Sequence, residues 1–179
     1  MVRESVRIPA AACAKSVAIV ALLACAWTSA PWAEATQPSV AVFDFELYDT
    51  SLEGEVQGMR PDEQQRLHLI SDLLRQLLRD SGRYRVVDIA PAEARIAKAG
   101  YLRACNGCAI AIARELHAEL AITGMVQKVS NLILNINIYV HDTESGKLAQ
   151  AMSADIRSNS DESWSRGVTW LVRNRLLAE

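Results

Sequence analysis

From Leu120 to Ile156 apolar and polar residues alternate with a period of two, in runs Leu120 to Val129, Leu132 to His141 and Lys147 to Ile156. Turn residues at Ser130-Asn131 and from Asp142 to Gly146 separate them, which predicts a three-strand antiparallel meander. In the middle run Leu134, Ile136, Ile138 and Val140 alternate with Asn135, Asn137, Tyr139 and His141. That is the signature of a sheet with one buried and one wet face.

Upstream the period is longer. Leu67, Ile70, Leu73, Leu74, Leu77 and Leu78 recur at three- and four-residue spacing between a Pro61-Asp62-Glu63 start and a Gly82 stop, predicting a long amphipathic helix. Ser39 to Leu47 predicts a single strand with Ala41, Phe43, Phe45 and Leu47 on one face, and Asp49 to Arg60 a loop. Tyr84 to Ile89 reads as a short strand, Pro91 to Ala99 as a short helix, and Ala109 to His117 as a helix with Ile110, Ala113 and Leu116 inward. Ser160-Asp161-Glu162 caps a last helix carrying Trp164, Val168, Leu171, Val172 and Leu176. The order β-α-β-α-α-β-β-β-α implies an α/β (α+β) domain: a mixed sheet of about five strands with helices packed on one side.

The amino-terminal stretch fits neither pattern. Basic Arg3, Arg7 and Lys15 precede an unbroken apolar run from Val17 to Ala26, followed by small residues, as in a bacterial signal peptide covering residues 1–35. The run is too short for a membrane anchor. Cleavage after Ala33-Glu34-Ala35 leaves a single domain over residues 36–179, in the periplasm. Alternatively Leu22-Leu23-Ala24-Cys25 resembles a lipobox, which leaves Cys25 as a lipid anchor and the protein membrane-tethered. Removing residues 1–35 leaves 16 of 19 basic and 19 of 21 acidic residues, a net charge near −3. That balance argues against a nucleic-acid footprint. The remaining chain is long enough to bury a core without metal or disulfides.

Signal removal also leaves Cys105 and Cys108 to pair with each other. Their C-x-x-C spacing at a helix start suits a structural disulfide in an oxidising compartment, or a redox-active pair whose thiolate the helix terminus stabilises. Ala109 after Cys108 excludes c-type haem attachment, and a second pair of zinc ligands is missing. Asp44, Glu46 and Asp49, with Glu53 and Glu55, gather oxygen donors that suit a hard cation such as calcium, without the spacing of an EF-hand loop. The other reading is a solvated acidic loop. No G-x-S-x-G elbow or phosphate-cradling glycine loop is present, and the sequence implies no cofactor. Asn135, Asn137 and Tyr139, with Trp164 and Trp170, form a candidate partner surface, against the simpler reading of a polar strand face and core tryptophans.

The runs Val40-Ala41-Val42-Phe43-Asp44-Phe45-Glu46, Arg85-Val86-Val87-Asp88, Ala118-Glu119-Leu120-Ala121-Ile122-Thr123-Gly124 and Asp161-Glu162-Ser163-Trp164 resemble a family of small exported bacterial proteins. That family is similar in turn to the amino-terminal domain of the translocation protein TolB and to the curli-secretion lipoprotein CsgG. The resemblance implies a non-enzymatic cell-envelope protein that binds another envelope protein. Two alternatives stand beside it: a thiol-disulfide redox protein, and a cation-binding accessory of a periplasmic quinoprotein dehydrogenase system.

Overall fold

The computed structural model describes residues 37–178, so the signal segment and Cys25 lie outside the described residues. The elements are β1 (Ser39–Val42), β2 (Glu46–Asp49), α1 (Leu52–Gln57), α2 (Pro61–Asp80), β3 (Arg85–Val87), α3 (Glu93–Ala99), α4 (Cys108–Glu115), β4 (Leu120–Ser130), β5 (Ile133–Asp142), β6 (Leu148–Ile156) and α5 (Asp161–Leu171). The last continues as a π-helical turn, Val172–Leu176. The open mixed sheet runs β3-β1-β4-β5-β6, with β2 also on β4. The parallel pairs are β1 with β3 and β4, and β2 with β4, whereas β4, β5 and β6 form the antiparallel meander.

The predicted strand Ser39–Leu47 is two strands. Val42 lies opposite Ile122 and Glu46 opposite Met125, so Phe43, Asp44 and Phe45 span what Thr123 and Gly124 span on β4. One extra residue reverses the faces. Ala41 and Phe43 therefore join one cluster and Phe45 and Leu47 the other, so the four do not share a face. Gly124 is what admits the break, because a Cβ there would collide with the Phe45 ring. The freed backbone groups find partners. Phe43 N–H donates to Ile122 O at 2.9 Å, Phe45 N–H to Ser71 Oγ at 2.9 Å, and Arg75 donates to Val42 O through Nε (3.2 Å) and Nη2 (3.0 Å).

The main core lies between the sheet and the layer of α2 and α5. Leu67, Ile70, Leu74 and Leu78 meet Trp164, Val168, Leu171 and the sheet residues Val40, Val42, Ile122, Ile136 and Ile138. Gly167 lets α5 approach the sheet closely, since a Cβ there would press on Ile136 and Ile156. A smaller cluster of Ala41, Phe43, Leu102, Ala109, Ile112, Ala113 and Ala121 seats α4 beside β1. In α4 the buried face is Ala109, Ile112 and Ala113, and Ile110 turns away from it. Asp49 to Arg60 is not wholly a loop: Ser51 Oγ accepts from Gly54 N–H at 3.1 Å and starts α1, a turn-and-a-half helix. Among the described residues no helix is long and apolar enough to cross a membrane.

Candidate functional site

Helices leave much of the opposite face of β2, β4 and β5 open, and a groove of about 690 Å³ lies there. Its floor is Thr123, Met125 and Gln127 of β4 with Tyr139 and His141 of β5, and its first wall is Glu46 and Tyr48 of β2. The second wall is the segment from Leu102 to Ile110, where the Cys105–Cys108 disulfide closes a short turn with Cα atoms 5.6 Å apart. Alternation alone places the floor residues, because the core takes Val126, Ile136, Ile138 and Val140 from the same strands.

Glu46 ties the second wall to the sheet. Its carboxylate accepts the N–H of Leu102, the N–H of Arg103 at 3.2 Å and Arg103 Nη1 at 3.1 Å. So held, the Arg103 guanidinium lies over the Tyr101 ring at 4.0 Å and the Tyr48 ring at 5.5 Å. The result is an exposed aromatic and cationic rim. His141 Nδ1 is buried in the groove with no hydrogen-bond partner among the described residues.

Asp44, Glu46 and Asp49 are not brought together. Asp44 pairs with Arg75 and lies 3.7 Å from His68 Nδ1, Glu46 clamps the groove wall, and Asp49 faces Lys128 Nζ at 3.1 Å. Successive residues of β2 alternate between sheet faces, which sends Asp49 away from Glu46, while Asp44 and Glu46 both line the groove but each is taken up by its own arginine, Arg75 and Arg103. Among the described residues no three His, Cys, Asp or Glu side chains converge as metal ligands.

The cation that the acidic stretch does receive is Lys128, which periodicity alone did not single out. It is buried, with Nζ 2.6 Å from Glu63 Oε1, 3.0 Å from Glu53 Oε2 and 3.1 Å from Asp49 Oδ2. Burial pulls the Lys128 pKa down, but the hydrogen bonds to Glu63, Glu53 and Asp49 outweigh it and hold the ammonium well above the usual lysine range. Desolvation likewise works against the Asp49 carboxylate, yet its bonds to Ser51 and Lys128 leave its pKa below the ordinary value. Glu63 also accepts Asn159 Nδ2 at 2.7 Å and the Arg60 N–H at 3.2 Å. This network joins α1, α2, β2, β4 and the segment that leads into α5. A lysine in the alternating pattern of β4, at an inward position, is the signal that could have revealed it.

Asn135, Asn137 and Tyr139 do share the open face. Asn135 donates to Asp155 Oδ1 at 2.7 Å and accepts from Ser153 Oγ at 2.9 Å, Asn137 lies opposite Met125, and Tyr139 reaches the groove. Trp164 does not belong to that surface. It is fully buried, under Arg66 at 5.9 Å, while Trp170 is 47% exposed on α5.

The sequence profile of one protein family matches residues 38–176. The chain belongs to DUF3280. That family carries the description "Protein of unknown function (DUF2380)". No curated protein matches the DUF3280 chain. Among solved structures it is similar to the C-terminal domain of LpoB from Salmonella enterica, with a TM-score of 0.49 and 13% identity over 68% of this chain and 84% of that one. Lipoprotein GNA1162 from Neisseria meningitidis gives 0.47 and 17%, over 77% and 95%. TolB from Acinetobacter baumannii gives 0.44 and 10%, over 78% of this chain and 28% of that one.

Proposed function

We propose that this DUF3280 protein is a non-enzymatic binding module of the bacterial cell envelope, exported by residues 1–35, that holds a segment of another envelope protein in its sheet-face groove. The observation that carries the reading is the groove itself: a floor in which Met125 and Tyr139 lie among Thr123, Gln127 and His141, under an Arg103-Tyr48-Tyr101 rim. Aromatic and arginine side chains over a partly apolar floor are what protein-binding surfaces concentrate. The occupant that fits is an extended segment with apolar side chains. Export rests on the order of basic, apolar and small residues before Thr36.

Photo-crosslinking in intact cells tests this. A photoreactive residue at Asn137 or Tyr139 should capture one envelope protein in high yield, and one at exposed Gln65 on α2 should not. Equal capture from both positions, or none from the groove, overturns the reading.

A second reading has one observation in its favour. Cys108 is the first residue of α4 and its bonded partner Cys105 lines the groove, so the helix dipole would favour a Cys108 thiolate on reduction by a dithiol. A reduction potential more oxidising than about −200 mV would support a thiol-disulfide role, and one below about −300 mV would exclude it.

A further inference from the structure

The sheet ends on β6, and among the described residues no strand pairs with its outer side. A nine-residue edge with free backbone donors and acceptors is a template for another strand. Protein edges are ordinarily blunted by lysine, proline or inward charge, yet Leu148–Ile156 contains no proline and one charge, Asp155. Its one irregularity is Ala149, the extra residue between the pairs Val140 with Gln150 and His141 with Leu148. From Gln150 to Ile156 the edge is regular. Beside it, between β6 and α5, runs a second groove of about 730 Å³ lined by Ala154, Ile156, Gly167 and the half-exposed Trp170.

We propose that this edge pairs with a second copy of itself, β6 against β6 in antiparallel register about a two-fold axis centred on Ser153. Charge and side-chain size both point to self-pairing. In that register Asp155, the one charge in the strand, faces Ala151 of the other copy, so no like charges are directly opposed along the regular stretch Gln150 to Ile156. On the helix side Met152 meets Ala154 and Gln150 meets Ile156, and on the open side Ser153 meets Ser153. Moving the centre two residues toward the carboxyl terminus would set the two Asp155 carboxylates against each other, a like-charge pair that selects against that alternative. A two-fold axis normal to the sheet keeps both helical layers on one side. There the two α5 helices approach beneath the joined strands and cover Trp170. The two sheet-face grooves then open on the same side of the dimer.

The full-length exported chain, recovered from the envelope fraction, provides the test. Light scattering should give a dimer mass at about 100 μM. Ser153→Cys should form an interchain disulfide on mild oxidation, because directly opposed antiparallel residues sit with Cα atoms about 5 Å apart. Gln65→Cys on exposed α2 should not. Ser153→Lys places two ammonium groups face to face and should weaken the dimer at least tenfold, whereas Ser153→Thr should retain it, both with unchanged circular dichroism. A monomeric parent, a Ser153→Lys variant that stays dimeric, or crosslinking at Gln65→Cys equal to that at Ser153→Cys would each overturn the proposal. Groove capture at Tyr139 is read separately, so failure of the dimer leaves that reading standing.

Discussion

Replacing Lys128 with methionine tests what holds the end of the sheet together. The side chains are similar in length, so the change removes the ammonium and little volume. It strands the Glu63 carboxylate, which is fully buried, with only Asn159 Nδ2 and the Arg60 N–H still in contact. Breaking a buried ion pair from one side costs about 3–5 kcal/mol, and the two surviving hydrogen bonds place this case near the lower figure. With a urea m-value of about 2 kcal/mol/M, a loss of about 3 kcal/mol moves the unfolding midpoint down by about 1.5 M. The assay is equilibrium urea unfolding followed by tryptophan fluorescence. Adding Glu63→Leu removes the stranded charge and should restore more than half of the loss, because an apolar pair of similar volume replaces an ion pair at little cost. A single-variant loss under about 1 kcal/mol, or no recovery in the double variant, would refute the account of a buried, mutually dependent pair.

Gly124→Ala drives a methyl group into the Phe45 ring and should lower stability by about 1–3 kcal/mol, measured by the same unfolding curve. Asp49, Asp62 and Glu119 have pKa values below their ordinary range in the fold, desolvation being outweighed by bonds to Ser51 and Lys128 for Asp49, and by bonds to Arg66 and Arg60 for Asp62. For Glu119 the first cause is its bond from the Ser39 N–H. Depressed carboxylates stabilise the fold above their unfolded pKa and lose that contribution as pH falls through the folded value, so the thermal midpoint should hold from pH 7 to about 5 and drop below about pH 4. Cys105→Ser with Cys108→Ser opens a short loop and should cost about 2 kcal/mol while leaving the α4 helix formed, read by circular dichroism and thermal unfolding. Arg103→Ala should cut groove crosslinking from Tyr139 severalfold with less than about 1 kcal/mol lost in stability, because Glu46 keeps the N–H groups of Leu102 and Arg103 as partners.

Periodicity in the sequence determined the meander, the α2 helix and the inward residues of α5, because each apolar stripe must face one core and the spacing states which secondary structure can present it. It also determined that Asn135, Asn137 and Tyr139 share an open face. Tertiary structure decided the rest. The face reversal between β1 and β2 depends on Gly124, some eighty positions along the chain, giving room to Phe45. The acidic stretch reads as a cation site in one dimension, but Arg75, Arg103 and Lys128 come from three other elements and each takes one of its carboxylates. A charge is visible in a sequence, but its partner is chosen by packing. The groove exists for the same reason: Tyr48, Arg103 and His141 lie far apart along the chain, and strand pairing together with the Glu46 clamp brings them to one cleft.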